Sequence, residues 1–115
     1  MENHIQVFNS TIVVTLQSSF SAGMLPGLQE GLLQSLHSTG LTQVVIDLGG
    51  IELLDDLELE GLINIKVMVR LMGAEVIFAG FRPQVVLALD NLGVDLKGIR
   101  AARDVDHAIS LMGVN

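Results

Sequence analysis

The sequence predicts an α/β fold: a mixed, mostly parallel sheet opened by an N-terminal β-hairpin and accompanied by about four helices. Three observations carry this. Short apolar, β-branched runs at 5–8, 11–16, 44–48 and 75–80 read as strands. Leucine-rich segments between them repeat at spacings of three and four and stop at glycines, which reads as helix. After the first two strands, strand and helix alternate, and that alternation implies parallel strands joined by right-handed crossovers.

IQVF at 5–8 and TIVVTL at 11–16 flank Asn9-Ser10, a tight turn, and form the hairpin. Leu25, Leu28, Leu32, Leu33 and Leu36 then make a helical stripe that ends at Gly40. Pro26 is tolerated only in the first turn of that helix. Gly27 and Gly31 each weaken it by about 1 kcal/mol relative to Ala, so it is the least regular of the set. VVIDL at 44–48 is a buried strand, and Gly49-Gly50 is the turn that leaves it. An acidic turn follows, with Glu52, Asp55, Asp56, Glu58 and Glu60 inside nine residues. The next segment runs through Leu57, Leu59, Leu62, Ile63, Ile65, Val67, Met68, Leu71 and Met72 to Gly73, and reads as the central helix. Asp55 at its N-cap with Glu58 three residues on is a capping-box pair, in which side-chain oxygens satisfy orphan backbone donors. Asp56 falls in the first turn, where the helix dipole favours an anion.

EVIFAG at 75–80 is the next strand, and Phe81-Arg82-Pro83 is a short loop that puts Pro83 at the first position of a helix. That helix is expected to bury Val86, Leu87, Leu89 and Leu92 and to end at Gly93. Residues 94–101 are short and extended, with a break at Lys97-Gly98. Asp104 caps a last helix whose apolar face is Val105, Ala108, Ile109 and Met112.

With 115 residues, the chain is expected to be one domain, 1–115, with a single core. Half of it is apolar, yet its four Phe are the only aromatics, so the core is built from Leu, Ile, Val and Met. So apolar a small domain is expected to cover part of its surface with other copies or partners. A net charge of −7 argues against nucleic acid and against an anionic membrane surface, because no basic patch can neutralise phosphates. The absence of cysteine removes disulfides, thiolate nucleophiles and cysteine metal sites. Met1-Glu2-Asn3-His4 lacks the basic start of a secretory signal, and Lys66 and Arg70 interrupt the most apolar segment too soon for a membrane span. A soluble, cytoplasmic protein is the expectation.

In a parallel sheet, functional loops gather at the carboxyl ends of the strands, here 49–56 and 80–83. If the two strands are neighbours, the acidic turn and Arg82 share one surface, on which Arg82 is either functional or a solvated loop charge. Asp55 and Asp56 do not make a catalytic carboxylate pair, since consecutive helical residues point about 100° apart. Asp56 and Glu60 share a face, but no base, nucleophile or ligand set joins them. No enzymatic activity and no cofactor are expected. His4, His37 and His107 show no metal-ligand spacing, and Gly49-Gly50 lacks the pattern of a phosphate loop. Met24, Met68, Met72 and Met112 read as core or interface filler. Capping accounts for Asp55 and Glu58. It does not require Glu52, Asp56 and Glu60, whose mutual repulsion costs stability; either solubility or a partner-facing surface explains them.

These residues together resemble STAS domains, the anti-sigma-factor antagonists. The resemblance rests on VVIDL, the short acidic turn with an aspartate one residue before a helix, LMGAEVIFAG at 71–80, the Arg82-Pro83 helix start and the Leu92-Gly93 end. It spans nearly the whole chain. Within the family, VFNS at 7–10 and STG at 38–40 are similar to the RsbS type, a scaffold subunit of bacterial stressosomes.

The resemblance implies a STAS fold and a non-enzymatic signalling role in the stress response. The implied partners are a serine kinase of the anti-sigma type (RsbT-like), related STAS proteins (RsbR-like) and further copies of the chain. In the family a serine directly after the aspartate is the kinase's target, and Asp56 stands at the matching position, where no serine kinase can act. The expected partner-reading surface is Glu52, Asp55, Asp56, Leu57 and Glu58, with Arg82 and Pro83 from the neighbouring loop. Two readings follow: Asp56 imitates a phosphoserine, naturally or by an engineered substitution, or the chain is a scaffold that has lost the switch. A carboxylate carries one negative charge, against about −1.5 to −2 on a phosphate, so the imitation is partial. A constitutive assembly protein and a small-ligand module using the loop at 80–83 are the rival functions.

Overall fold

The structure is a computed structural model and describes residues 5–112; His4 lies outside them. The chain opens with β1 (Ile5–Phe8) and β2 (Thr11–Thr15), antiparallel and joined by Asn9-Ser10 with φ of 51° and 63°. Two consecutive left-handed residues make the primed turn whose twist matches that of a hairpin. A 3₁₀ turn, Ala22–Met24, leads into α1 (Leu25–Thr39), where Pro26 lies in the first turn and needs no backbone donor. Gly40, at φ 70°, ends α1 by donating its N–H to the Leu36 carbonyl.

Then follow β3 (Gln43–Asp47), α2 (Asp56–Leu71), β4 (Glu75–Ala79), α3 (Pro83–Asn91), β5 (Arg100–Ala102) and α4 (Val105–Leu111), with a 3₁₀ turn at Leu96–Gly98 before β5. The sheet order is β1-β2-β3-β4-β5, and every pair after the hairpin is parallel. This is the mixed, mostly parallel sheet with four helices that the sequence predicts.

Side chains alternate across the sheet. Ile12, Val14, Val44, Ile46, Val76 and Phe78 face α1 and α2 in the larger core. Val13, Val45, Ile77 and Ala79 face the opposite way and meet Ala108 of α4 and Met112 just after it. Both faces of the central strands are therefore covered, which is why those strands read as unbroken apolar runs.

The inward face of α3 differs from expectation, and α2 buries only part of its apolar residues. In α2 the core takes Leu59, Leu62, Ile65 and Val69, while Leu57, Val67, Leu71 and Met72 are exposed. In α3 it takes Val85 and Leu89, not Val86 and Leu87, which face solvent, and Leu92 is half-buried. VVLAL is apolar all round, so periodicity alone cannot orient it. Tertiary contact does so, because Val85 and Leu89, one turn apart, seat on Leu59 of α2.

Candidate functional site

The loop at 49–55 leaves the carboxyl end of β3 and is pinned at several points. The Leu48 N–H donates to the Ala79 carbonyl at 2.8 Å, continuing the β3–β4 ladder by one residue. The Gly49 N–H donates to Asp47 Oδ1 at 2.9 Å, and Ile51, itself buried, donates to the Leu48 carbonyl. Beside it runs the loop after β4. Gly80 there has φ 83°, and a Cβ on it would sit 3.0 Å from the Cα and N of Gly49. Only glycine allows this approach of two backbones.

Arg82 crosses between the loops. Its Nε donates to the Ile51 carbonyl at 3.2 Å and its Nη2 to the Gly49 carbonyl at 3.1 Å, while Gln84 Nε2 donates to the Glu52 carbonyl at 3.2 Å. Because β3 and β4 are adjacent, the acidic turn and Arg82 do share one surface. Arg82 is exposed, and its side-chain hydrogen bonds go to backbone carbonyls of the 49–51 segment and not to the carboxylates. Pro83 follows it as the first residue of α3 and is exposed.

The loop ends in a complete capping box. Asp55 Oδ1 accepts from the Glu58 N–H at 2.8 Å, and Glu58 Oε1 accepts from the Asp55 N–H at 2.9 Å. Both carboxylates are thus committed to the helix start. Asp56, the next residue, is exposed and makes no side-chain hydrogen bond among the described residues. It stands at the positive end of α2 with its oxygens turned to solvent.

Around it lie two exposed apolar side chains, Leu53 at 75% and Leu57 at 66% exposure. Glu52 and Glu60 are exposed as well. The result is an acidic and partly apolar knob, tied to the neighbouring loop by Arg82 and Gln84. Burying either leucine fully is worth roughly 1.5–3 kcal/mol.

Sequence reasoning missed Leu53, Asp47 and Gln84. An apolar residue inside an acidic turn was a signal for Leu53. Nothing in the sequence marked Gln84, whose partner is a backbone carbonyl. Of the other histidines, His37 is exposed, and His107 Nδ1 accepts from the Arg103 N–H at 2.9 Å. Among the described residues no group of three His, Asp or Glu is placed to hold a metal ion, and no helix is long and apolar enough to cross a membrane.

The STAS domain family model matches residues 4–108. The RsbT co-antagonist protein RsbRA of Bacillus subtilis (strain 168) is 30% identical over 120 residues, covering 95% of this chain and 44% of that protein, so the chain spans less than half the length of that relative. Uncharacterized protein YezB of the same organism is 30% identical over 74 residues, covering 64% of this chain and 76% of that protein. Among solved structures, a serine-to-glutamate variant of Moorella thermoacetica RsbS superposes with a TM-score of 0.88 at 22% identity, covering 98% of this chain and 96% of that one. A chain from a structure of the stressosome, a signal integration and transduction hub, gives 0.86 at 23% identity, with 95% of each chain covered. With the family matched over nearly the whole sequence and the same fold in these stressosome proteins, the chain belongs to the STAS-domain family.

Proposed function

We propose that this STAS chain is a non-catalytic, cytoplasmic signalling subunit of the stressosome type, an anti-sigma-factor antagonist that docks a serine kinase through the knob formed by the 49–55 loop and the start of α2. Asp56 stands in it for a phosphorylated serine and holds the chain in the state with weakened kinase binding. One observation carries the reading: of two adjacent aspartates, Asp55 does the capping and Asp56 is left exposed with nothing to hold. A charge with no structural employment, on a pinned and partly apolar surface, is fitted to act on a partner. Docking would desolvate it, and each 1.4 kcal/mol of lost binding weakens a complex about tenfold. The partner surface consists of Glu52, Asp55, Asp56, Leu57 and Glu58, with Arg82 and Pro83 behind them.

The test compares Asp56→Ser with the parent for binding to the anti-sigma-type serine kinase of the source cell and for phosphate uptake. The Ser variant is expected to bind at least tenfold more tightly and to accept phosphate at position 56. No gain in binding together with no phosphate uptake would sink the switch. A second reading, constitutive assembly with related STAS proteins, draws support from the exposed Val67 and Leu71 far from Asp56 along α2. Light scattering on the chain mixed with a related STAS protein separates it: a large particle without kinase binding favours the scaffold.

A further inference from the structure

We propose that the groove between the last turns of α2 and the starts of β4 and β5 binds a small amphiphilic anion: a carboxylate or phosphate head on an unbranched apolar tail. The site goes beyond the kinase-docking reading and does not rest on it.

The groove is open to solvent and has a volume of about 380 Å³, within the range of small-molecule sites. Its walls are divided by chemistry. Val67 and Leu71 of α2, both exposed, stand over Ala74 and Val76, both buried, and the four make an apolar trough. Lys66 and Arg70 of α2 and Arg100 of β5 stand around it. Lys66 and Arg70 form one row along the helix at a spacing of four, and Val67 and Leu71 form the row beside it. A charged head and an apolar tail are thus offered partners side by side.

Three of the chain's six Lys and Arg line this groove. Among the described residues that line it, Glu75 is the one carboxylate. The groove is therefore positive on a chain whose net charge is −7, and a cleft of one sign focuses its field on what enters it. An extended anionic surface, such as a membrane or a nucleic acid, would meet the acidic remainder of the chain. A ligand small enough to lie inside the groove meets only its cations. The charge selects for size as well as sign.

The three cations are unequally engaged. Arg100 Nη1 donates to Glu75 Oε1 at 2.6 Å, which fixes a guanidinium that has further N–H groups to offer. Arg70 reaches the same carboxylate only at 3.9 Å, too long for a hydrogen bond. Lys66 is half-buried and has no ion pair among the described residues. A partly desolvated ammonium without a counter-ion is costly, and an oxyanion beside it offsets that cost. Gly98 keeps the approach open, since a Cβ there would lie 3.9 Å from Lys66 Nζ. Asp56 stands at the other end of α2, which is about 24 Å long. The groove and the knob share no residue.

The test titrates octanoate into the purified full chain and follows its amide resonances. No kinase is present, so failure leaves kinase docking untouched. Shifts confined to residues 66–76 and 97–100 are expected, with a Kd of about 1 mM or tighter. Hexanoate should bind more weakly, by about two- to fourfold for each methylene removed, and octyl phosphate at least as tightly as octanoate. Lys66→Gln combined with Arg70→Gln should weaken octanoate roughly tenfold. Gly98→Leu, which fills the space before Lys66 Nζ, should block binding while circular dichroism shows the fold intact. No shift in the groove at about 10 mM octanoate overturns the proposal. So does an unchanged Kd in the double glutamine variant. Acetate or inorganic phosphate binding as tightly as octanoate would leave the tail idle and overturn it as well. Phosphatidylglycerol vesicles that bind the chain where octanoate does not would assign the cations to a membrane surface instead.

Discussion

Nη2 of Arg82 donates to the carbonyl oxygen of Gly49 at 3.1 Å, joining two loops 33 residues apart in sequence. Together with the bond from Nε to Ile51, it uses the planar fork of the guanidinium to hold two acceptors of the segment that leads into the acidic turn. The position of the knob therefore depends on a residue outside it.

Arg82→Ala is expected to lower stability by about 1 kcal/mol, since the bonds are charge-assisted but partly exposed. Amide exchange at residues 49–54 should rise more than anywhere else. Arg82→Lys should recover less than half of the protection, because one ammonium cannot reproduce the fork. Unchanged exchange in Arg82→Ala would show that the strut is idle.

Gly80→Ala meets two penalties at once. The left-handed backbone costs about 1–2 kcal/mol for a residue with a Cβ, and that Cβ would press on the backbone of Gly49, which cannot swing aside. Urea denaturation should show a loss of at least that size, with a displaced 49–55 loop. Full stability would contradict the close approach.

Adjacent aspartates should behave differently. Asp55→Ala removes the cap and is expected to cost about 1 kcal/mol, whereas Asp56→Ala should stay within about 0.5 kcal/mol. Equal losses in thermal melts would mean that Asp56 shares the capping role.

Ser10 carries φ 63°, which glycine adopts without strain. Ser10→Gly should therefore stabilise the hairpin by about 0.5 kcal/mol, after subtracting the greater freedom of glycine in the unfolded chain. A lower melting temperature would contradict this account of the turn.

The orientation of α3 can be tested by truncating its leucines. Leu89→Ala, at 3% exposure, is expected to cost about 2–4 kcal/mol, and Leu87→Ala, at 64%, no more than about 0.5 kcal/mol. A loss at Leu87→Ala as large as that at Leu89→Ala would restore the face expected from sequence.

What was legible in the sequence is what short-range chemistry determines. Asn9-Ser10 announces its turn, Asp55 and Glu58 their cap, and Pro83 and Gly93 the two ends of α3, because each acts on backbone within a few residues. The order of strands and helices follows from the same punctuation. Which apolar residues of α2 and α3 turn inward was not legible, since apolar residues fall on every side of both segments and contacts such as Leu59 with Val85 and Leu89 decide it. The bridging role of Arg82, and Gln84 altogether, escaped for another reason. Their acceptors are carbonyl oxygens that every residue carries, so no residue type marks them. The exposure of Leu53 likewise depends on how the loop is pinned.

The sheet runs β1-β2-β3-β4-β5, so spatial order and chain order coincide. On a ribosome, each strand that emerges finds its docking edge already made by the strand before it, with one helix ready to cover the seam. No strand has to wait for a segment not yet synthesised. The growing chain can thus shelter its apolar runs one after another, which suits a protein half of whose residues are apolar.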